Sequence, residues 1–284
     1  MTNHDISSPK NTRDRPAIFR AMGLAEPPAL VQIKSSSDFD GEYQRVQVFK
    51  HDSWAATALY ACDARAIVCK FNRQQRIGVI PMLWLGNFLA RRETLLLQKL
   101  KHITNIPNSV GPILVDGQTL ENVTAHVYVP GRPFKHDANA SDAFLAELEQ
   151  LIGQVHAADV AYVDLHKSEN ILVGDDGKPY LIDFQIGFWK PSSQVAAFFC
   201  NSFLLALQRS DRYHLLKHIT KCRPSMDWNQ MHLQRPWYIR LHRRVAIPLR
   251  TMRRRFLVLL GIRTGIGHVS TESNPEIGHR MPVN

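Results

Sequence analysis

The pattern of apolar and polar positions changes character near residue 41. Residues 1–40 are polar and punctuated by proline and serine, with Ser35-Ser36-Ser37 resembling a linker, and they predict a flexible tail. Residues 45–50, 57–62 and 66–71 are β-prone and separated by turns at 51–56 and at Asp63-Ala64-Arg65. Three antiparallel strands are expected there. In 81–102, Leu85, Phe88, Leu89, Leu96 and Leu100 recur at spacings of three, four and seven, which predicts a helix with Pro81 near its start. The apolar run 77–90 is too short to cross a bilayer and reads as core. Residues 110–114 and 122–129 follow as strands. Ser141 caps a helix over 141–156, with Phe144, Leu148, Leu151, Ile152 and Val155 on one face. Residues 195–208 and 211–221 predict two further helices.

The densest chemistry lies within residues 161–189. Ile171-Leu172-Val173 is a buried-strand run, residues 174–179 (Gly-Asp-Asp-Gly-Lys-Pro) supply a turn, and Tyr180-Leu181-Ile182 returns. Such a hairpin brings Asp183, at its end, back beside Asn170, while Asp164 opens the preceding loop. Two oxygen-bearing side chains with a third acid nearby suit Mg²⁺, which takes carboxylate and amide oxygens together with substrate phosphates. Asp175 and Asp176 belong to the turn and are excluded from the chemistry.

These residues resemble the protein-kinase-like superfamily, whose signature is H-R-D-L-x-x-x-N followed by D-F-G. The chain has Tyr162-Val163-Asp164-Leu165, then Lys167-Ser168-Glu169-Asn170, then Asp183-Phe184-Gln185. Val155-His156, eight residues before Asp164, resembles the Leu-His element that precedes the catalytic loop. The loop is one residue longer than the signature, Tyr162 stands for His, and Gln185 stands for Gly. Bacterial lipopolysaccharide-core (Kdo) kinases and RIO-like kinases are the most similar types. The resemblance implies an α+β, two-lobed fold with a small antiparallel-sheet N-lobe carrying one helix (41–130), a mainly helical C-lobe (131–227) and a separate basic segment (228–284). It implies Asp164 as catalytic base, Asn170 and Asp183 as Mg²⁺ ligands, and Lys167, or else His166, beside the γ-phosphate. Lys70 at the third strand's end would hold the ATP phosphates, oriented by Glu93, 23 residues on. The first turn has no G-x-G-x-x-G; Ser53, with Ala55 and Ala56, takes its place, and Lys50 reads as a solvated strand end. The stretch from His126 to Gly131 resembles the hinge that binds adenine, and His156 would brace the loop.

Composition narrows the setting. Four cysteines in 284 residues have no C-x-x-C spacing, which argues for a reducing compartment and against a disulfide framework or zinc site. No signal core or run of about 18 apolar residues occurs. The net charge of +10 is concentrated: residues 228–271 contain nine arginines and no Asp or Glu, interleaved with Trp237, Tyr238, Phe256 and aliphatic residues. Such a basic amphipathic stretch reads first as a site for an anionic membrane surface, with nucleic-acid binding or a solvated face packing on the C-lobe as the alternatives. The expectation is an ATP- and Mg²⁺-dependent cytoplasmic kinase, peripheral on the inner face of the inner membrane, acting on a hydroxyl of a lipopolysaccharide-core sugar. A RIO-like serine/threonine protein kinase and a nucleotide-binding pseudokinase scaffold are the alternative readings.

Overall fold

The computed structural model describes residues 17, 20–34, 38–134, 140–223 and 252. The basic segment 228–284 thus lies, apart from residue 252, outside the described residues. The fold is mixed α and β, with a curled antiparallel sheet and three helices among the described residues. The chain divides into two units, residues 1–94 with 109–128 and residues 95–108 with 129–284. One division falls between Tyr128 and Val129, inside the stretch read as a hinge.

The first unit is built on a seven-stranded sheet. Its strands are β1 (Leu30–Ile33), β2 (Gly41–His51), β3 (Ala55–Cys62), β4 (Arg65–Asn72), β5 (Ile113–Val115), β6 (Gln118–Thr119) and β7 (Val123–Val127), in the order β6-β5-β1-β2-β3-β4-β7. Every neighbouring pair is antiparallel. The three predicted strands are β2, β3 and β4, and their β-branched and aromatic positions bury Tyr43, Tyr60, Ile67 and Phe71 in one cluster with Val31, Ile33 and Ile113. β1 corrects the expectation of a flexible tail through residue 40. Val31 and Ile33 alternate inward and the strand pairs with both β2 and β5, so burial of two side chains fixes this apolar end of an otherwise polar stretch.

Helix α1 (Leu83–Lys99) begins in this unit. Its inward stripe is Gly86, Ala90 and Glu93, one residue per turn, continuing from the buried Met82 just before its start. Phe88, assigned to the core face by periodicity, is instead 52% exposed, as is much of the run 77–90. Gly86 explains the rotation. A Cβ there would sit 2.4 Å from the Arg73 carbonyl oxygen, so only glycine lets the helix approach that closely. The Thr124 hydroxyl then donates to the Ala90 carbonyl at 3.1 Å and ties α1 to β7.

The second unit gathers α2 (Asp142–Ala157), α3 (Gln194–Cys222) and two small sheets. Strands β8 (Gly131–Pro133), β10 (Ile171–Gly174) and β11 (Pro179–Leu181) form one in the order β11-β10-β8; β9 (Val160–Ala161) pairs with β12 (Phe188–Trp189) in the other. Ser141 caps α2 by accepting from the Phe144 N–H at 3.1 Å. Phe144, Leu148, Leu151, Ile152 and Val155 then pack with Tyr162, Leu165, Ile171, Leu181 and Phe184. The two helices expected at 195–208 and 211–221 are one continuous helix, α3, because Arg209-Ser210 carries no breaker.

Candidate functional site

In the second unit the β10–β11 register pairs Ile171 with Leu181. The next rung is closed by the Ile182 N–H donating to the Asn170 carbonyl at 3.1 Å. Asn170, ending a 3₁₀ turn at Ser168–Asn170, and Asp183 therefore leave the same end of the hairpin. Tyr162 locks that end from beneath: its hydroxyl donates to the Ile182 carbonyl and reaches the Asn170 carbonyl at 3.5 Å. Its ring stands edge-on to Phe184. Tyr162, where the signature has His, is thus a buried strut.

Asp164 is the centre of the loop. Its carboxylate is buried, and its Oδ2 accepts from Lys167 Nζ at 2.7 Å and from Asn170 Nδ2 at 3.0 Å. His166 Nδ1 lies 3.2 Å from Oδ1. The longer loop thus still brings both Lys167 and Asn170 to one carboxylate, with a backbone turn from the Lys167 N–H to the Asp164 carbonyl at 3.1 Å taking up the extra residue. Burial alone would lower the Lys167 pKa, but the hydrogen bond and charge of Asp164, with the charges of Asp183 and Glu169, more than offset it and raise it.

The backbone around Asp164 and Asp183 is unusual. Val163 has φ +72° and Asp183 φ +59°. A β-branched residue in the left-handed region is costly and persists only where its surroundings over-determine it. Here the determinant is Asp211, a residue sequence reading missed. Fully buried on α3, it accepts from the Tyr162 N–H and the Val163 N–H, each at 2.8 Å, and meets His156 Nε2 at 3.1 Å. His156 thus braces the loop through Asp211. His218 adds a second tie, its Nε2 lying 2.6 Å from the Leu165 carbonyl oxygen. Asp211 stands on the buried stripe of α3, seven residues after Leu204 and four before Leu215. An acid on an apolar stripe is the one signal that could have found it.

The first unit holds the other predicted residues. Lys70 sits on β4 opposite Thr57 of β3 and Thr124 of β7, and its Nζ lies 3.2 Å from Glu93 Oε2 and 3.4 Å from Oε1. Ser53 lies in the β2–β3 turn. Asp52 stabilises that turn by accepting from the Trp54 and Ala55 N–H groups at 2.7 and 3.0 Å, and Arg73 donates to the Ser53 carbonyl at 2.6 Å. Lys50 pairs with Asp52 at 2.7 Å. Side chains here hold a turn that glycine would otherwise shape.

Among the described residues no group of three or more His, Cys, Asp or Glu side chains could by itself hold a metal ion. Mg²⁺ does not need such a cage, since it keeps waters and shares one or two protein oxygens with substrate phosphates. Asn170 and Asp183 are hard oxygen donors of that kind, and with its Nδ2 engaged on Asp164, Asn170 has its amide oxygen for a cation. No helix among the described residues is long and apolar enough to cross a membrane. No protein-family model matches the chain, and comparison with curated proteins finds no relative.

Proposed function

We propose that the chain is an ATP- and Mg²⁺-dependent phosphotransferase of the two-lobed, protein-kinase-like kind. The observation that carries this reading is the convergence of Lys167 and Asn170 on one oxygen of the buried Asp164 carboxylate, with Asp183 leaving the same end of the hairpin as Asn170. The Lys70–Glu93 pair of the first unit supports it. Phosphoryl transfer is mostly positioning and charge neutralisation, so a lysine held by a glutamate and an acid held by a lysine and an amide are what it asks for.

Asp164 orients the acceptor hydroxyl and takes its proton as the oxygen attacks the γ-phosphorus of ATP. Lys167, kept cationic by its acidic neighbours, faces the charge on the transferring group. Lys70, steadied by Glu93, holds the α- and β-phosphates. Asn170 and Asp183 would hold Mg²⁺, which when bound neutralises phosphate charge. Asp211 fixes the loop that carries Asp164 and is a positioning residue.

The acceptor is a hydroxyl of a lipopolysaccharide-core sugar or similar glycolipid, and the enzyme works at the cytoplasmic membrane surface. That part rests on the sequence resemblance and on the basic composition of residues 228–271. Labelled ATP offered to purified glycolipid and to cell protein tests it. Label in glycolipid supports the proposal, and label in protein only replaces it with the RIO-like reading. Tight ATP binding with no transfer to either leaves a scaffold.

A further inference from the structure

The first unit exposes an apolar element that neither its fold nor the proposed chemistry uses. Ile77 and Ile80 exchange both backbone hydrogen bonds, at 3.1 and 3.0 Å, around a two-residue turn in which Gly78 has φ +58°. This puts Val79 at the tip, 92% exposed. Helix α1 follows at once and presents Leu83, Trp84 (63% exposed) and Phe88 outward, opposite its buried Gly86–Ala90–Glu93 stripe. Large apolar side chains left exposed on a turn tip and on the first turns of the helix that follows it mark an interaction surface.

The charges around this element say what covers it. Residues 64–92 contain six basic residues and no Asp or Glu. Of these, Arg76 and Arg91 are exposed beside the tip and the helix face, and the Arg92 guanidinium lies over the Phe88 ring, 5.6 Å from its centroid. A second copy docking through the same patch would bring Arg76, Arg91 and Arg92 of both copies together. Residues 228–271, with nine arginines and no acid, carry the same sign and are disfavoured as a cover for the same reason. A surface both apolar and negatively charged fits. An apolar tip, a tryptophan at the boundary and a basic rim are the parts of a shallow membrane anchor.

We infer that the turn at residues 77–80 and the outward face of α1 form a docking surface for an anionic lipid bilayer, with Val79, Ile80, Trp84 and Phe88 entering the headgroup–acyl boundary and Arg76, Arg91 and Arg92 on the lipid phosphates. The inference rests on the membrane-surface part of the proposed function, not on its chemistry. It assigns the contact to the first unit in addition to the basic segment.

The test uses the full chain with vesicles of phosphatidylcholine containing one quarter phosphatidylglycerol, against vesicles of phosphatidylcholine alone. Wild type should partition onto the anionic vesicles. Val79→Asp with Trp84→Ser, both at exposed positions, should weaken partition at least tenfold. A brominated acyl chain should quench a component of tryptophan fluorescence that Trp84→Phe removes, and this component should survive Arg253→Ala/Arg254→Ala/Arg255→Ala. Equal partition of wild type and the Val79/Trp84 variant overturns this surface while leaving the membrane reading to the basic segment. Wild type that binds neither vesicle overturns both. Self-association abolished by Val79→Asp, without vesicle binding, overturns the inference in favour of a second copy.

Discussion

Replacing Asp211 by asparagine keeps the side chain's volume and removes its charge, so it isolates the anchor of the loop that carries Asp164. The carboxylate serves three donors: Oδ2 takes the Tyr162 N–H at 2.8 Å and His156 Nε2 at 3.1 Å, and Oδ1 takes the Val163 N–H at 2.8 Å. Asparagine offers one acceptor oxygen and one amide that can only donate. Whichever way it turns, at least one buried N–H faces another donor. A hydrogen bond to a charged group contributes about 1.5–3 kcal/mol, and the remaining bonds weaken with the lost charge, so the loss should be about 2–4 kcal/mol. The loss falls next to the left-handed Val163, whose strain of about 1–3 kcal/mol is held by that bond. Relaxation of Val163 shifts Asp164, the next residue, and a shift of about 1 Å in a reacting group costs about 10²-fold in rate. Urea unfolding measures the first effect, and phosphate transfer per folded molecule the second. Stability within about 0.5 kcal/mol of wild type, with an unchanged rate, would refute the reasoning that Asp211 positions the loop.

Other outcomes follow from the same geometry. Asp183→Ala should weaken Mg²⁺-dependent ATP binding at least tenfold in a metal titration, and unchanged metal dependence would remove it as a ligand. Lys167→Ala should slow transfer about 10²-fold, the scale of one lost transition-state donor, with ATP affinity little changed. Gly86→Ala places its Cβ 2.4 Å from the Arg73 carbonyl oxygen and should destabilise the first unit by about 1–3 kcal/mol in a thermal melt. His51, whose pKa is lowered by burial and by the Arg20 charge, takes up a proton less readily in the folded than in the unfolded chain. The unfolded chain takes up that proton first, so this contribution is present above about pH 6.5 and is lost as pH falls below it. A His51→Gln variant should flatten that part of the stability–pH profile.

Sequence reading recovered what short-range pattern encodes. Strands β2, β3 and β4 announced themselves by β-branched and aromatic positions between turn residues, and the hairpin of Asn170 and Asp183 by a turn of the right length. It failed where a partner distant in the chain decides. The 29-residue α3 joins two stretches expected as separate helices, and the role of Asp211 depends on the fold placing it against the Tyr162 and Val163 N–H groups. β8, only three residues long, has no period of its own and exists because β10 pairs with it. α1 carries apolar residues on both arcs, so periodicity could not tell which one faces inward. The close approach at Gly86 decided that and left Trp84 and Phe88 outside.

The proposed role of Asp164 in phosphate transfer is tested most directly in a single turnover. The full chain is mixed with Mg²⁺ and γ-labelled ATP in the presence of glycolipid, and label in the acceptor is followed with time for wild type and Asp164→Ala. The account predicts transfer by wild type and its loss in the variant, with ATP still bound by both. Transfer that persists without the Asp164 carboxylate, or a wild-type chain that does not bind Mg·ATP, would contradict it.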